Sequence, residues 1–221
     1  AQLYIKFIPP KVEDYAPRCQ LACINSLVWA RFSQELDPKS IAGNVEVRPC
    51  ANENCVLTEL GAPLEIPANS ITVVPVPKTT ETAKRFLSIK PIKADQTLLL
   101  QPGKYYRVLL KGGTDNGIKG MNGVLMTGLN DPEGFVWTFR TKLGPDSYCK
   151  AESVDVAPLE KFETAIDARQ LFVATPFGKA DECSAVGQAL IQTQNASWTS
   201  SDKKVADFVG LGTIDTGAQL P

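Results

Sequence analysis

The sequence predicts an all-β protein made of two consecutive antiparallel β-sandwiches. Short segments of alternating or continuous apolar residues recur along the chain, and no segment keeps a helical apolar period for three or more turns. Sixteen prolines and 16 glycines interrupt the chain at strand-like intervals. Short strands with frequent turns are typical of sandwiches. At 221 residues, 43% of them apolar, the chain has room for two packed cores.

Eight strands are predicted in the first two thirds of the chain, each bounded by Pro, Gly, Asn or Asp. In the last of them, Phe135, Trp137 and Phe139 alternate onto one face, which is typical of a half-buried strand. The eight segments are LYIKFI (3–8), SLVWARFS (26–33), NVEVRP (44–49), CVLTEL (55–60), SITVVPVP (70–77), RFLSIKP (85–91), KYYRVLLKG (104–112) and GFVWTFRT (134–141).

A linker is predicted at KLGPD, and we place a domain boundary near Gly144, giving units of residues 1–143 and 144–221. The first unit carries 17 basic and 13 acidic side chains and the second 6 and 11, and ordinary solvated surfaces are the simplest interpretation of this difference. The strands predicted in the second unit are ESVDVAP (152–158), RQLFVATP (169–176), QALIQT (188–193), ASWTS (196–200) and VADFVG (205–210).

Six cysteines indicate a disulfide framework and therefore an oxidising, extracytoplasmic setting. Zinc is disfavoured because the chain has no histidine and no C-x-x-C knuckle. Six cysteines allow 15 pairings. Spacing alone suggests the pairs Cys19 with Cys23, Cys50 with Cys55 across a hairpin turn, and Cys149 with Cys183.

Composition argues against most catalytic chemistry. Without histidine, a histidine base and H-E-x-x-H metal sites are excluded, and the common nucleophile and phosphate-binding motifs are missing. Paired carboxylates stay open as an alternative. We therefore expect no enzymatic activity and no cofactor. Nucleic-acid binding and membrane insertion are not expected either, because the chain lacks basic runs interleaved with aromatics and apolar runs of membrane-spanning length.

Two stretches are candidates for ligand contact. In GGTDNGIKGMNG, the oxygens of Asp115, Asn116 and Asn122 could serve calcium, although such clusters are more often plain turns. Trp29 alternates with inward-facing neighbours, and Tyr105 with Leu109 falls on the outer side of its strand. These three residues are a candidate patch for a sugar or a protein partner, unless the N-terminal segment or the adjacent unit covers them.

Residues 9–141 present an ordered set of features: PPKVEDYAP, LVWARFSQELDPKSI, LLLQPGKYYRVLLKGGTDNGIKGMNG and FVWTFRT. Their order, with FSQELD, L-x-PGKYY-x-V and W-x-F-x-T as the most specific pieces, resembles the S-layer-type bacterial Ig-like domain. Within it, Pro102-Gly103 makes a turn, and the Tyr106 hydroxyl is expected to tether a turn as tyrosine corners do. The inward-facing sets are Val28, Ala30, Phe32 and Tyr106, Val108, Leu110.

In the second unit, ESVDVAP, RQLFVAT and ASWTSSDKKVADFVGLGTIDTG resemble the first strand, the second strand and the signature of the group 2 bacterial Ig-like domain of the intimin and invasin type. The chemistry of that signature is structural. Trp198, Val205 and Phe208 are expected in the core, and Ser200, Ser201 and Asp202 are expected to cap a turn.

The two resemblances imply a non-enzymatic, extracellular structural module of a bacterial surface protein, stalk or filament, with neighbouring Ig-like domains or copies of itself as partners. The alternatives are an adhesin or carbohydrate-binding module that contacts a glycan or host surface, and the non-catalytic part of a larger secreted enzyme. The family pattern continues beyond the last strand present. We therefore expect that the chain extends past Pro221, or that AQLYIKFI of a neighbouring copy completes the sandwich. Ala1 is interpreted as a processed or artificial start.

Overall fold

The structure, a computed structural model, describes residues 8–77, 79–80, 82–113, 116–158, 172–191 and 201. This part of the chain is built from β-strands, as predicted, and its helical content is four 3₁₀ turns: Pro38–Ser40, Leu57–Glu59, Ala68–Ser70 and Pro145–Ser147. The strands are β1 (Val12–Ala16), β2 (Val28–Phe32), β3 (Val45–Cys50), β4 (Ile71–Pro75), β5 (Lys84–Ile89), β6 (Tyr105–Lys111), β7 (Gly134–Arg140), β8 (Ala151–Ala157) and β9 (Val173–Gly178).

The first seven strands form two antiparallel sheets. One has the order β1-β2-β5-β4 and the other the order β3-β6-β7. Lettered A to G along the chain, the strands have the same order as the ABED and CFG sheets of a constant-type immunoglobulin sandwich. Strands β8 and β9 pair antiparallel in a third, two-stranded sheet.

One apolar core fills the space between the two larger sheets. From the four-stranded sheet, Val28, Ala30 and Phe32 are fully buried, as their alternation predicted. The three-stranded sheet contributes the other predicted set from β6 and two aromatic residues from β7, because a period of two sends every second side chain to the same face. These residues are Tyr106, Val108, Leu110, Trp137 and Phe139.

Tyr106 tethers a turn at the start of β6. Its hydroxyl oxygen accepts a hydrogen bond of 2.7 Å from the backbone N–H of Gln101, five residues upstream. Its ring is buried and stacks on Phe139, with 5.4 Å between centroids. The predicted tyrosine-corner contact is therefore present in this strand.

Two expectations for the first unit fail, each for a local reason. CVLTEL is not a strand: the chain folds into the 3₁₀ turn Leu57–Glu59, since the Cys50–Cys55 bridge closes a tight loop just before it. The sequence does not predict strand β1 because VEDYA is too polar to alternate clearly, which suits a strand that pairs with β2 alone among the described strands. LYIKFI, apart from Ile8, lies outside the described residues.

In the second unit, ESVDVAP corresponds to β8, and the end of RQLFVATP to β9. QALIQT begins with residues that pair through single bridges rather than as a strand. The signature with Trp198 and Phe208 lies outside the described residues except for Ser201.

Candidate functional site: a cross-linked junction

Two disulfides tie the β8–β9 sheet to the sandwich. Cys19 bonds to Cys183 and Cys23 to Cys149, with Cα atoms 5.3 and 5.7 Å apart. The third bridge, Cys50 to Cys55, is local, as its spacing suggested. The pairings Cys19–Cys23 and Cys149–Cys183 are therefore wrong.

The reason lies in how the segment between β1 and β2 runs. Cys19 O accepts from Arg140 N, and Ala22 N donates to Arg140 O, at 3.0 and 2.9 Å. The segment is thus fixed along the end of β7, and each of its cysteines meets a different part of the second half of the chain. Sequence spacing cannot show this, because the partners are brought together only by the fold.

A backbone ladder crosses the same junction. Residues 188–191 pair on one side with β9, where Gly178 N donates to Gln188 O at 2.9 Å and Leu190 N to Pro176 O at 2.8 Å. On the other side they pair with residues 25–27, through bonds of 2.7–2.8 Å that join Ile191 to Asn25 and Leu27 to Ala189. Because residues 25–27 lead into β2, hydrogen bonds run without interruption from β9 into the sandwich.

Gln188 is the polar centre of the junction. Its side-chain oxygen accepts from Cys23 N at 3.0 Å and from Ser26 Oγ at 2.9 Å. Its Nε2 donates to Leu21 O at 3.1 Å and to Asp181 Oδ2 at 2.8 Å. The bonds to Leu21, Cys23 and Ser26 cross the junction, and the bond to Asp181 stays on the same side as Gln188. Together the four bonds satisfy an amide that is almost wholly buried.

Asn25 also forms side-chain hydrogen bonds across the junction, next to the Cys23–Cys149 bridge. Its Nδ2 donates to Cys149 O at 2.9 Å, and its Oδ1 accepts from Cys149 N at 3.0 Å. The side chain thereby pairs with Cys149 as a neighbouring strand would, and it is 2% exposed.

Asp181 carries the charge of this network. Burial by itself raises the pKa of its carboxyl, but hydrogen bonds from Gln188, Lys142 and the Cys183 N–H outweigh burial, so the pKa lies below its ordinary value. Lys142 Nζ lies 3.2 Å from Asp181 Oδ2. The carboxylate also accepts from the backbone N–H groups of Cys183 and Ser184. It therefore fixes the loop that carries Cys183.

An apolar cluster covers the outer face of the four-stranded sheet. Trp29 packs against it and stacks on Phe86, with ring centroids 5.0 Å apart. A cavity of only ≈ 20 Å³ is left between this face and β9, so the contact is closely packed. The cluster consists of Leu27, Val74, Val76, Phe86, Val173, Phe177 and Ala189.

The structure does not bring Trp29, Tyr105 and Leu109 together. Trp29 lies in the four-stranded sheet beside the junction, and Tyr105 and Leu109 lie on β6 of the other sheet. Leu109 is 2% exposed, and the Tyr105 ring is covered by the Arg140 guanidinium at 5.1 Å. They do not form the single exposed patch that the alternation suggested, because the two strands belong to opposite sheets.

Of the candidate calcium ligands, the described residues Asn116 and Asn122 form hydrogen bonds within turns and with neighbouring segments. Asn122 Oδ1 accepts from Val124 N at 3.1 Å, and its Nδ2 donates to Ile8 O at 2.9 Å. The backbone oxygen of Asn116 accepts from Asn44 Nδ2. Asp115 lies outside the described residues.

The described residues hold no cluster of three or more His, Cys, Asp or Glu side chains placed to share a metal ion. In the same part of the chain, no helix has the length and apolar character needed to cross a bilayer.

Sequence reasoning found the cysteines of this junction but not Asn25, Gln188, Asp181 or Lys142. The bonds of Gln188 and Asn25 that cross the junction reach partners 124 to 167 positions away, so no local pattern marks these two residues. The one available signal was the even number of cysteines. Their correct pairing would have shown which segments meet at the junction.

No family model matches the chain, and a search of curated proteins gave no match. Among solved structures, the chain is similar to the S-layer protein rSbsC(31–844), with a TM-score of 0.36 and 15% identity over 84% of this chain. The chain spans about a fifth (22%) of that protein's length. A likeness at this TM-score carries no argument about fold or function.

Proposed function

We propose that the chain is a non-enzymatic structural module of an extracellular surface protein, in which an Ig-like sandwich and the unit that follows are held in a fixed orientation. The observation that carries this proposal is the Cys19–Cys183 bridge, which joins the two units across 164 residues. Disulfides form and persist in oxidising, extracellular settings. The strand order and the Tyr106 contact support the Ig-like assignment.

The bridge determines how the chain carries tension. Force applied to the two ends of the chain enters at Cys19, crosses to Cys183 and leaves towards the C-terminus without passing through the polypeptide between them. The Cys23–Cys149 bridge is nested inside and spans 126 residues. Strands β2 to β9 are therefore shielded from unfolding by tension, whereas β1 and residues 188–191 lie outside the loop and bear it. Such shielding is a useful property for a stalk or surface-layer component.

Single-molecule force spectroscopy on the chain tethered at both ends tests this function. In the oxidised chain, residues 20–182 add nothing to the contour length. Full reduction adds up to 164 residue steps, an increase of roughly 550 Å.

The C19A/C183A variant keeps the inner bridge and gives an intermediate result. It releases 38 residues, the difference between the separations of 164 and 126, or roughly 130 Å of extra length. The matched control C50A/C55A adds no length, because its bridge lies inside the loop that the intact Cys19–Cys183 bridge closes. If the oxidised chain lengthens by several hundred ångströms at forces too low to break a disulfide, the Cys19–Cys183 bridge does not carry the tension and the proposed mechanical role is contradicted.

The edge of β8 that has no neighbouring strand among the described residues favours another copy of the chain as a partner. Within the described residues β8 pairs only with β9, and its first four residues are exposed, including Val154 at 60%. An unpaired edge is a template for strand addition. Sedimentation over a wide concentration range measures this: self-association is expected, and a monomer at every concentration argues against polymerisation by strand donation.

A further inference from the structure

A recess of ≈ 210 Å³ lies at the end of the β8–β9 sheet, beside the Cys23–Cys149 disulfide. It is far larger than the ≈ 20 Å³ cavity under β9, and half of its ten lining residues are charged. Its ionisable side chains are three lysines and two carboxylates: Lys142, Lys150, Lys179, Glu152 and Asp181.

The charges of the recess do not cancel. Asp181 is committed to Lys142, to Gln188 and to two backbone N–H groups of its own loop. Neither Lys150 nor Lys179 forms an ion pair with any described residue, and the same is true of Glu152. The lining residues that have no ion pair among the described residues therefore carry two positive charges and one negative charge.

The strand register places two of the lysines at the same end of the small sheet. Ala151 pairs with Gly178 at the end of the antiparallel β8–β9 ladder, and Lys150 and Lys179 are the next residues beyond this pair. Like charges near each other repel, and an anion bound between the two ammonium groups offsets this repulsion.

We propose that this recess binds a small polyanion carrying phosphate or carboxylate groups, held by Lys150 and Lys179 with Lys142 as a third cation. Ammonium groups recognise such oxygens as point charges, without the planar geometry that arginine imposes. Pockets for drug-sized ligands are about 300–1,000 Å³. A volume of ≈ 210 Å³ therefore suits pyrophosphate or a short polycarboxylate rather than a large ligand.

Calorimetric titration of the oxidised full chain with pyrophosphate in one arm and citrate in the other distinguishes the two oxygen sources. Saturable one-to-one binding of at least one of them is expected, weakening as salt is added. In ¹⁵N spectra, the amide signals of Lys150, Gly178 and Lys179 should move together along the same titration. If these three signals do not move while other amide signals shift to saturation, the anion binds elsewhere and the proposal is overturned.

Three variants test the roles of individual charges. K150Q/K179Q should weaken binding roughly tenfold or more, and E152Q should strengthen it about two- to threefold because it removes the opposing charge. The exposed Lys39 is the matched control, and K39Q should leave the affinity unchanged. The proposal fails if neither anion binds saturably, or if K39Q weakens binding as much as the double variant does.

Discussion

Cys19 and Cys183 lie 164 residues apart in sequence, yet their Cα atoms are 5.3 Å apart and their disulfide closes the outermost covalent loop of the described chain. The Cys23–Cys149 bridge lies inside that loop, next to the polar network of Asn25 and Gln188. The junction is therefore held by covalent bonds, by a backbone ladder and by an apolar cluster at the same time.

Removing the outer bridge should lower stability more than removing the local one. With Cys23–Cys149 intact, the Cys19–Cys183 bridge constrains a loop of 38 residues, and C19A/C183A should lose about 4 kcal/mol of unfolding free energy. C50A/C55A, which opens a short loop, should lose about 2 kcal/mol. Urea denaturation of both variants measures the difference, and equal losses would show that loop length does not govern these bridges.

Stability should fall in acid through Asp181. Its pKa in the folded chain lies below the ordinary value of 3.8, so its contribution is fully present above that value and is lost as pH falls through the folded pKa. Glu46, whose pKa is also lowered, adds to the same trend. Urea melts of the wild type and D181N between pH 2 and pH 7 measure it. D181N should be less stable at neutral pH and should lose less on acidification, and identical pH slopes would contradict this assignment.

Gly187 should not tolerate a side chain. Its φ is +85°, and an added Cβ would lie 2.0 Å from the backbone oxygen of Gly178, within the ladder that leads into the junction. G187A should therefore lose more than about 2 kcal/mol, since strain and a backbone clash act together. Gly43, with φ +77° and no atom within 4 Å of an added Cβ, is the matched control. G43A should lose about 1–2 kcal/mol, and thermal melts that rank the two in reverse order would refute the clash.

The Tyr106 hydroxyl should contribute a measurable share of sandwich stability. Y106F removes the acceptor for Gln101 N–H and should cost about 0.5–1.5 kcal/mol. The neighbouring Tyr105 lies on the outer face, where Y105F should change stability by less than about 0.5 kcal/mol. Chemical denaturation of the two variants side by side makes this comparison, and equal costs would remove the turn-tethering role.

Much of the sandwich was predictable because its signal is local. In β2 and β6, inward-facing residues recur at every second position, and the structure buries Val28, Ala30, Phe32, Tyr106 and Val108 together in one core. Strand β1 escaped prediction because Glu13 and Asp14 interrupt its pattern. The stretch 55–60 was misread because apolar residues in a disulfide-closed turn mimic a strand.

The patch of Trp29, Tyr105 and Leu109 shows where local reasoning stops. Alternation places each of these residues on the outer side of its strand, and that much agrees with the strand registers. Which sheet each strand joins, and what covers its outer face, depends on contacts far away in sequence, such as those of Phe86 and Arg140.

From its own residues the chain specifies an all-β fold, the inward faces of its central strands, and six cysteines suited to an oxidising environment. Only the folded arrangement decides that Cys19 meets Cys183, that Gln188 reaches Cys23, and that Lys150 and Lys179 both line one recess. The physical reason is the sequence separation of the interacting residues. Side-chain alternation depends on neighbouring residues, whereas disulfide partners and charge clusters depend on which distant segments the hydrophobic cores bring together.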